Sequence, residues 1–184
     1  MTDKFHFVID EVISHLQALR AQLSESELEA FIEEVRNAKK VFVCGAGRSG
    51  YVARCFAQRL MQIGYEAFFV GDTTTPAAAR GDLLVAVTGS GETPSVITML
   101  RLAKDIGMRS AVITTRERSS AASLANLKLK VPGKTKMLEK VTHAPFTSLF
   151  DIAALTVLDG VTAELMARKG VTDQDIQRTH ANLE

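Results

Sequence analysis

Little in this chain points toward an external partner. It has only two cysteines, Cys44 and Cys55. Both read as small side chains on apolar faces in a reducing compartment, not as a disulfide framework or a metal site. Lysine plus arginine number 22 against 21 acidic residues. No basic arm gathers in one place, so nothing suggests a general polyanion binder and no nucleic-acid partner is expected. The longest apolar stretch, 146–166, is interrupted by Asp151, Asp159 and Glu164. That suits a packed helix and not a membrane span. The first residues, Met1 to His6, hold no apolar signal core, so a cytoplasmic protein without a membrane partner is expected. Internal repeats and low-complexity linkers are missing as well. The 184 residues therefore read as one domain, long enough to bury a sizeable core.

What the chain does have is a glycine-rich turn at its centre. Residues 41–44 are a short β-branched run that reads as a buried strand. Gly45, Gly47 and Gly50 follow, and then 51–63 carries apolar groups at helical spacing. Strand, glycine turn and helix start together aim free N–H groups and a helix dipole at one point, which suits a phosphate.

Around this motif, strands are expected at 66–70, 82–87, 109–114 and 127–131, and helices at 95–106 and 120–125. Strands alternating with helices give an α/β protein, a five-stranded parallel sheet with helices on both faces. Two helices, 5–23 and 25–38, precede the sheet as an arm covering one of its sides and offering a subunit interface. A basic loop, 132–142, leads to a long helix at 145–169 and a short one at 172–181. The arm (1–38), the sheet core with its loops (39–132) and the C-terminal helices (145–184) make a single unit. The polar loops all follow strand C-termini, where ligands of such sheets bind.

A second loop, Thr88-Gly-Ser-Gly-Glu-Thr93, repeats the chemistry of the first. Gly47 and Ser49 from one loop, with Thr88, Ser90 and Thr93 from the other, would line a cup for one phosphate monoester. Gly45-Ala-Gly-Arg-Ser-Gly50, with Asp72 after the second strand, also matches a dinucleotide fingerprint. The second hydroxyl loop and the lack of a separate substrate domain weigh against that reading. Neither loop is followed by a Walker lysine, which argues against a nucleoside triphosphatase.

The paired loops resemble the SIS (sugar isomerase) domain family. Gly45–Gly50, Arg59–Gly64, Gly71–Pro76 and His180–Glu184 resemble, within it, the 6-phospho-3-hexuloisomerase family. The resemblance implies a three-layer α/β/α sandwich with flavodoxin-like strand order. It also implies a homo-oligomer, tetramer or dimer, with sites at subunit boundaries. The implied reaction converts 3-hexulose 6-phosphate to fructose 6-phosphate in the ribulose monophosphate pathway. In two places this chain departs from the family's pattern: Gln62 stands where that family tends to have His, and Asp151 where it tends to have Glu.

Moving a carbonyl between neighbouring carbons needs a base, an enediol and a second proton carrier, with no metal or cofactor required. Asp151 is a candidate base; its alternative is an exposed first-turn acid of the long helix. Glu92 is a second candidate base, or a carboxylate turned away from the phosphate. His180 is a candidate proton carrier reaching a neighbouring subunit, and His143 one that faces the mouth; His6 and His15 read as surface residues. Arg48 is suited to clamp the phosphate or sugar, and Asp72 and Thr74 to bond sugar hydroxyls. Lys134, Lys136 and Lys140 form a solvated loop or an anion gate. A different class, a sugar-phosphate sensor without chemistry, and another aldose–ketose isomerase remain as alternatives.

Overall fold

Five short strands supply the frame: β1 (Val41–Gly45), β2 (Ala67–Phe69), β3 (Leu83–Val87), β4 (Arg109–Thr114) and β5 (Leu127–Lys130). The computed structural model describes residues 3–135 and 142–183. All strand pairs are parallel, in the order β2-β1-β3-β4-β5. β3 is buried at every position, as expected of a central parallel strand covered on both faces.

The helices are α1 (Asp3–Gln22), α2 (Glu25–Asn37), α3 (Arg48–Gln62), α4 (Pro94–Ile106), α5 (Ser120–Leu124), α6 (Ser148–Lys169) and α7 (Asp173–Thr179). Alternate strand residues enter two separate cores. Val41, Val43, Leu83, Val85 and Val87 pack with Phe31 of α2, Phe56 and Leu60 of α3, and Phe150 and Leu158 of α6. Phe42, Cys44, Leu84 and Ala86 pack on the opposite face with Val96 and Leu100 of α4 and Ala121 of α5. The result is the expected three-layer α/β/α sandwich.

Several expectations need correction. The arm does not act as one cover. α2 reaches the sheet edge at β5, whereas α1 packs on α6. Phe5, Phe7, Ile9 and Ile13 of α1 stay exposed. One oxygen of Glu11 on α1 accepts from the backbone N–H groups of His143 and Ala144, each at 2.8 Å. Cys55 is exposed rather than a core residue; Cys44 is buried, and loss of hydration pushes its thiol up to about 12. The long helix starts at Ser148 and not at Pro145, because Thr147 takes a left-handed backbone with φ 66°. No helix among the described residues is long and apolar enough to cross a membrane.

Candidate active site

The switch in strand order falls between β1 and β3, and there the chain opens. Register pairs Gly45 with Val87, so the two strands end side by side. The turn after β1 and the loop after β3 therefore flank one cavity of 340 Å³. Gly47, with φ 57°, is the N-cap of α3. Thr93 is the N-cap of α4. Two helix N-termini thus serve the same space, and their free N–H groups favour an anion there.

The lining brings together six of the residues expected from the sequence: Gly47, Arg48, Ser49, Thr88, Ser90 and Thr93. Neither the Ser49 nor the Thr93 hydroxyl is spent on a helix-capping bond. The Thr88 and Thr93 hydroxyls bond each other at 2.9 Å, and Ser49 Oγ donates to Asp151 Oδ1 at 2.8 Å. Ser90 Oγ accepts from the N–H of Glu92 at 3.2 Å.

Thr135, Phe146, Thr147 and Phe150 also line the wall; sequence reasoning missed them. Thr135 Oγ1 is buried and has no hydrogen-bond partner among the described residues. Its methyl crowds Gly89, where an added Cβ would meet Thr135 Cγ2 at 2.8 Å. Its residue lines the cavity, so the hydroxyl is a candidate donor to a bound ligand. The signal was available in the chain: Thr135 follows β5, whose C-terminal end feeds the same mouth. Thr135→Val is expected to raise the inhibition constant of inorganic phosphate by about 10-fold. Melting temperature should hold or rise, since an unpaired buried hydroxyl is removed. Equal phosphate inhibition in both proteins would remove Thr135 from the binding set.

Asp151 is not an exposed first-turn acid; its side chain is 3% exposed. Its Oδ2 accepts from Arg48 Nε at 3.2 Å and from Thr147 Oγ1 at 2.9 Å. With Ser49 on Oδ1, three residues that line the cavity hold this carboxylate. Asp151 itself lies one side chain behind the cavity surface. Its other side faces a smaller hollow of 210 Å³ with Tyr51, Cys55 and Leu155.

Other candidates lie elsewhere. Glu92 turns away from the cavity. Hydrogen bonds from the Ser120 side chain, then from its backbone N–H, hold this carboxyl below its usual range. Asp72 pairs with Arg54 at 2.8 Å, and that hydrogen bond keeps its carboxyl low. Asp72 and Thr74 line a separate hollow of 260 Å³. The His143 ring packs on Phe7 with centroids 4.9 Å apart. His180 is exposed just beyond α7; its neighbour Thr179 bonds the carbonyl of Gln62. Gln62 ends α3, the helix whose other end touches the cavity, so His180 is remote from its own chain's cavity. Lys134 bonds Thr142, while Lys136 and Lys140 lie outside the described residues. Among those residues, no three His, Cys, Asp or Glu side chains gather as a metal-binding group.

The SIS domain family matches residues 34–157, from the end of α2 into α6. The chain belongs to the SIS family. A 3-hexulose-6-phosphate isomerase of Methanocaldococcus jannaschii is 38% identical over 159 residues, 86% of this chain and 85% of that one. A 3-hexulose-6-phosphate isomerase of Bacillus subtilis is 35% identical over 179 residues, 96% of this chain and 97% of that one. A crystal structure from Methanococcus jannaschii, for which 3-hexulose-6-phosphate isomerase function was inferred, superposes with a TM-score of 0.83. It is 33% identical and both chains are covered completely. This SIS chain is therefore similar along nearly its whole length to named phosphosugar isomerases.

Proposed function

We propose that the protein is a sugar-phosphate isomerase that interconverts 3-hexulose 6-phosphate and fructose 6-phosphate through a 2,3-enediol. The observation that carries this reading is the cavity between β1 and β3. Two helix N-termini and a ring of hydroxyls fit one phosphoryl group, with Arg48 at the rim. A carboxylate stands one hydroxyl behind the wall. Relatives named for this reaction cover nearly the whole chain.

In this reading the phosphate sits on the N–H groups after Gly47 and around Thr88–Thr93, which fixes the sugar chain's position. Arg48 lies at the rim to neutralise developing enediolate charge. Asp151 communicates with the sugar through Ser49 Oγ, a route suited to moving protons between the two oxygens. Carbon-bound proton transfer needs a group in direct contact. His180, exposed at the end of its own chain, is assigned that role in a second copy. The exposed apolar residues of α1 favour a homo-oligomer, dimer or tetramer, and the two free thiols favour a cytoplasmic setting, within a ribulose monophosphate pathway. The chemistry needs neither metal nor organic cofactor.

The test is NMR of fructose 6-phosphate with the protein in heavy water. Deuterium at C3 with appearance of the 3-ketose is the expected result. Exchange at C1 would show an aldose–ketose isomerase. Binding without product or exchange would favour a sensor.

A further inference from the structure

Thr147 departs from what its position asks of it. It is the N-cap of α6, where threonine ordinarily takes extended backbone and accepts a hydrogen bond from the first turn. Here it does neither. Its φ is 66° and ψ −10°, and its side chain makes no capping bond. It is the one non-glycine residue with positive φ among the described residues. For a β-branched side chain that backbone is strained. The hydroxyl goes instead to Asp151 Oδ2, at 2.9 Å. The Asp151 N–H returns to the Thr147 carbonyl at 3.0 Å. Thr147 also lines the phosphate cavity, beside Arg48 and Ser49.

We propose that Thr147 is a positioning residue whose strained backbone is retained because its hydroxyl fixes the Asp151 carboxylate behind Arg48 and Ser49. Aspartate is a short side chain on a rigid helix, so its reach depends on what pulls on it. Arg48 is 62% exposed and can swing away when an anion enters. Ser49 itself lines the cavity, so its hydroxyl has a ligand to serve as well. Thr147 is the donor whose position the backbone itself fixes, so it holds the carboxylate while the other two engage ligand. Backbone strain kept where a functional group must be held is a known use of such conformations.

The inference rests on the isomerase reading, and the test separates the two. Thr147→Gly relieves the backbone and deletes the hydroxyl. Thr147→Ser keeps the hydroxyl. In T147G, kcat with fructose 6-phosphate should fall about 10- to 100-fold, the value of one bond to a charged group. KM should stay within about 3-fold, and the melting temperature should hold or rise. T147S should recover most of the lost kcat. With 13C-labelled aspartate, the Asp151 carboxyl resonance should move in T147G and return in T147S. A T147G enzyme with undiminished kcat would overturn the proposal. So would a T147S enzyme no better than T147G, or a kcat loss matched by loss of fold. If the wild type turns over no ketose phosphate, the isomerase reading fails. The carboxyl resonance then decides the Thr147 contact by itself.

Discussion

Asp151→Asn is expected to cut turnover of fructose 6-phosphate by roughly 100- to 10,000-fold, the usual range for removing a positioned acid–base group. The substitution keeps the shape and one acceptor oxygen. It deletes the charge that Arg48, Ser49 and Thr147 converge on. An amide does not take up a proton near neutral pH, so the proposed route from the sugar oxygens through Ser49 would end there. Fold should survive. The Arg48 partner is largely in water, and an ion pair with one exposed member adds little to stability. Steady-state kinetics beside a thermal melt decide the matter. Less than about a 3-fold change in kcat, against the range typical of general acid–base groups, would show that Asp151 only braces the loop.

Gly133→Ala should have the largest effect on stability. A Cβ there would lie 2.6 Å from Phe150 Cβ and 2.7 Å from its backbone N, and closer still to its Cα. The obstacle is helix backbone, which cannot rotate aside as a side-chain tip can. Phe150 is completely buried in the core beneath α6. The first turn of α6 must therefore shift, carrying Thr147 and Asp151 with it. A loss of about 3 kcal/mol is expected, at the upper end of overpacking costs. Gly160→Ala, further along α6, is the control, since nothing lies within 4 Å of its added Cβ. It should stabilise by about 0.5–1 kcal/mol through lost unfolded-state freedom. Urea unfolding of the two variants reads both. Equal midpoints would mean that the loop bearing Gly133 and the start of α6 part easily.

The sandwich was legible because its signals are local. The buried run at Leu83–Val87 and the glycine turn after Cys44 each declare themselves within a few residues. The two loops that flank the cavity were legible for the same reason, since hydroxyls and glycines sit next to a strand end and a helix start. The rest of the site depends on distant meetings. Asp151 contacts Ser49 and Arg48 across 102 and 103 positions of chain. Its burial could not be read from its place in a helix. Glu92 looked like a base because it stands in the loop, but Ser120 turns it outward. Asp72 looked available for a sugar until Arg54, on the neighbouring helix, occupied it. Thr135 was hidden in a stretch whose lysines drew the eye.

The SIS match begins at residue 34, which leaves α1 outside it. Yet Glu11 of α1 fastens the backbone at His143 and Ala144, three residues before Thr147. The helix and the cavity wall are thus mechanically joined. A chimera that takes the 142–147 segment from one relative and the first helix from another would break that fastening unless the acceptor came along. Exchange between such proteins should succeed when the two segments travel together and fail when either moves alone.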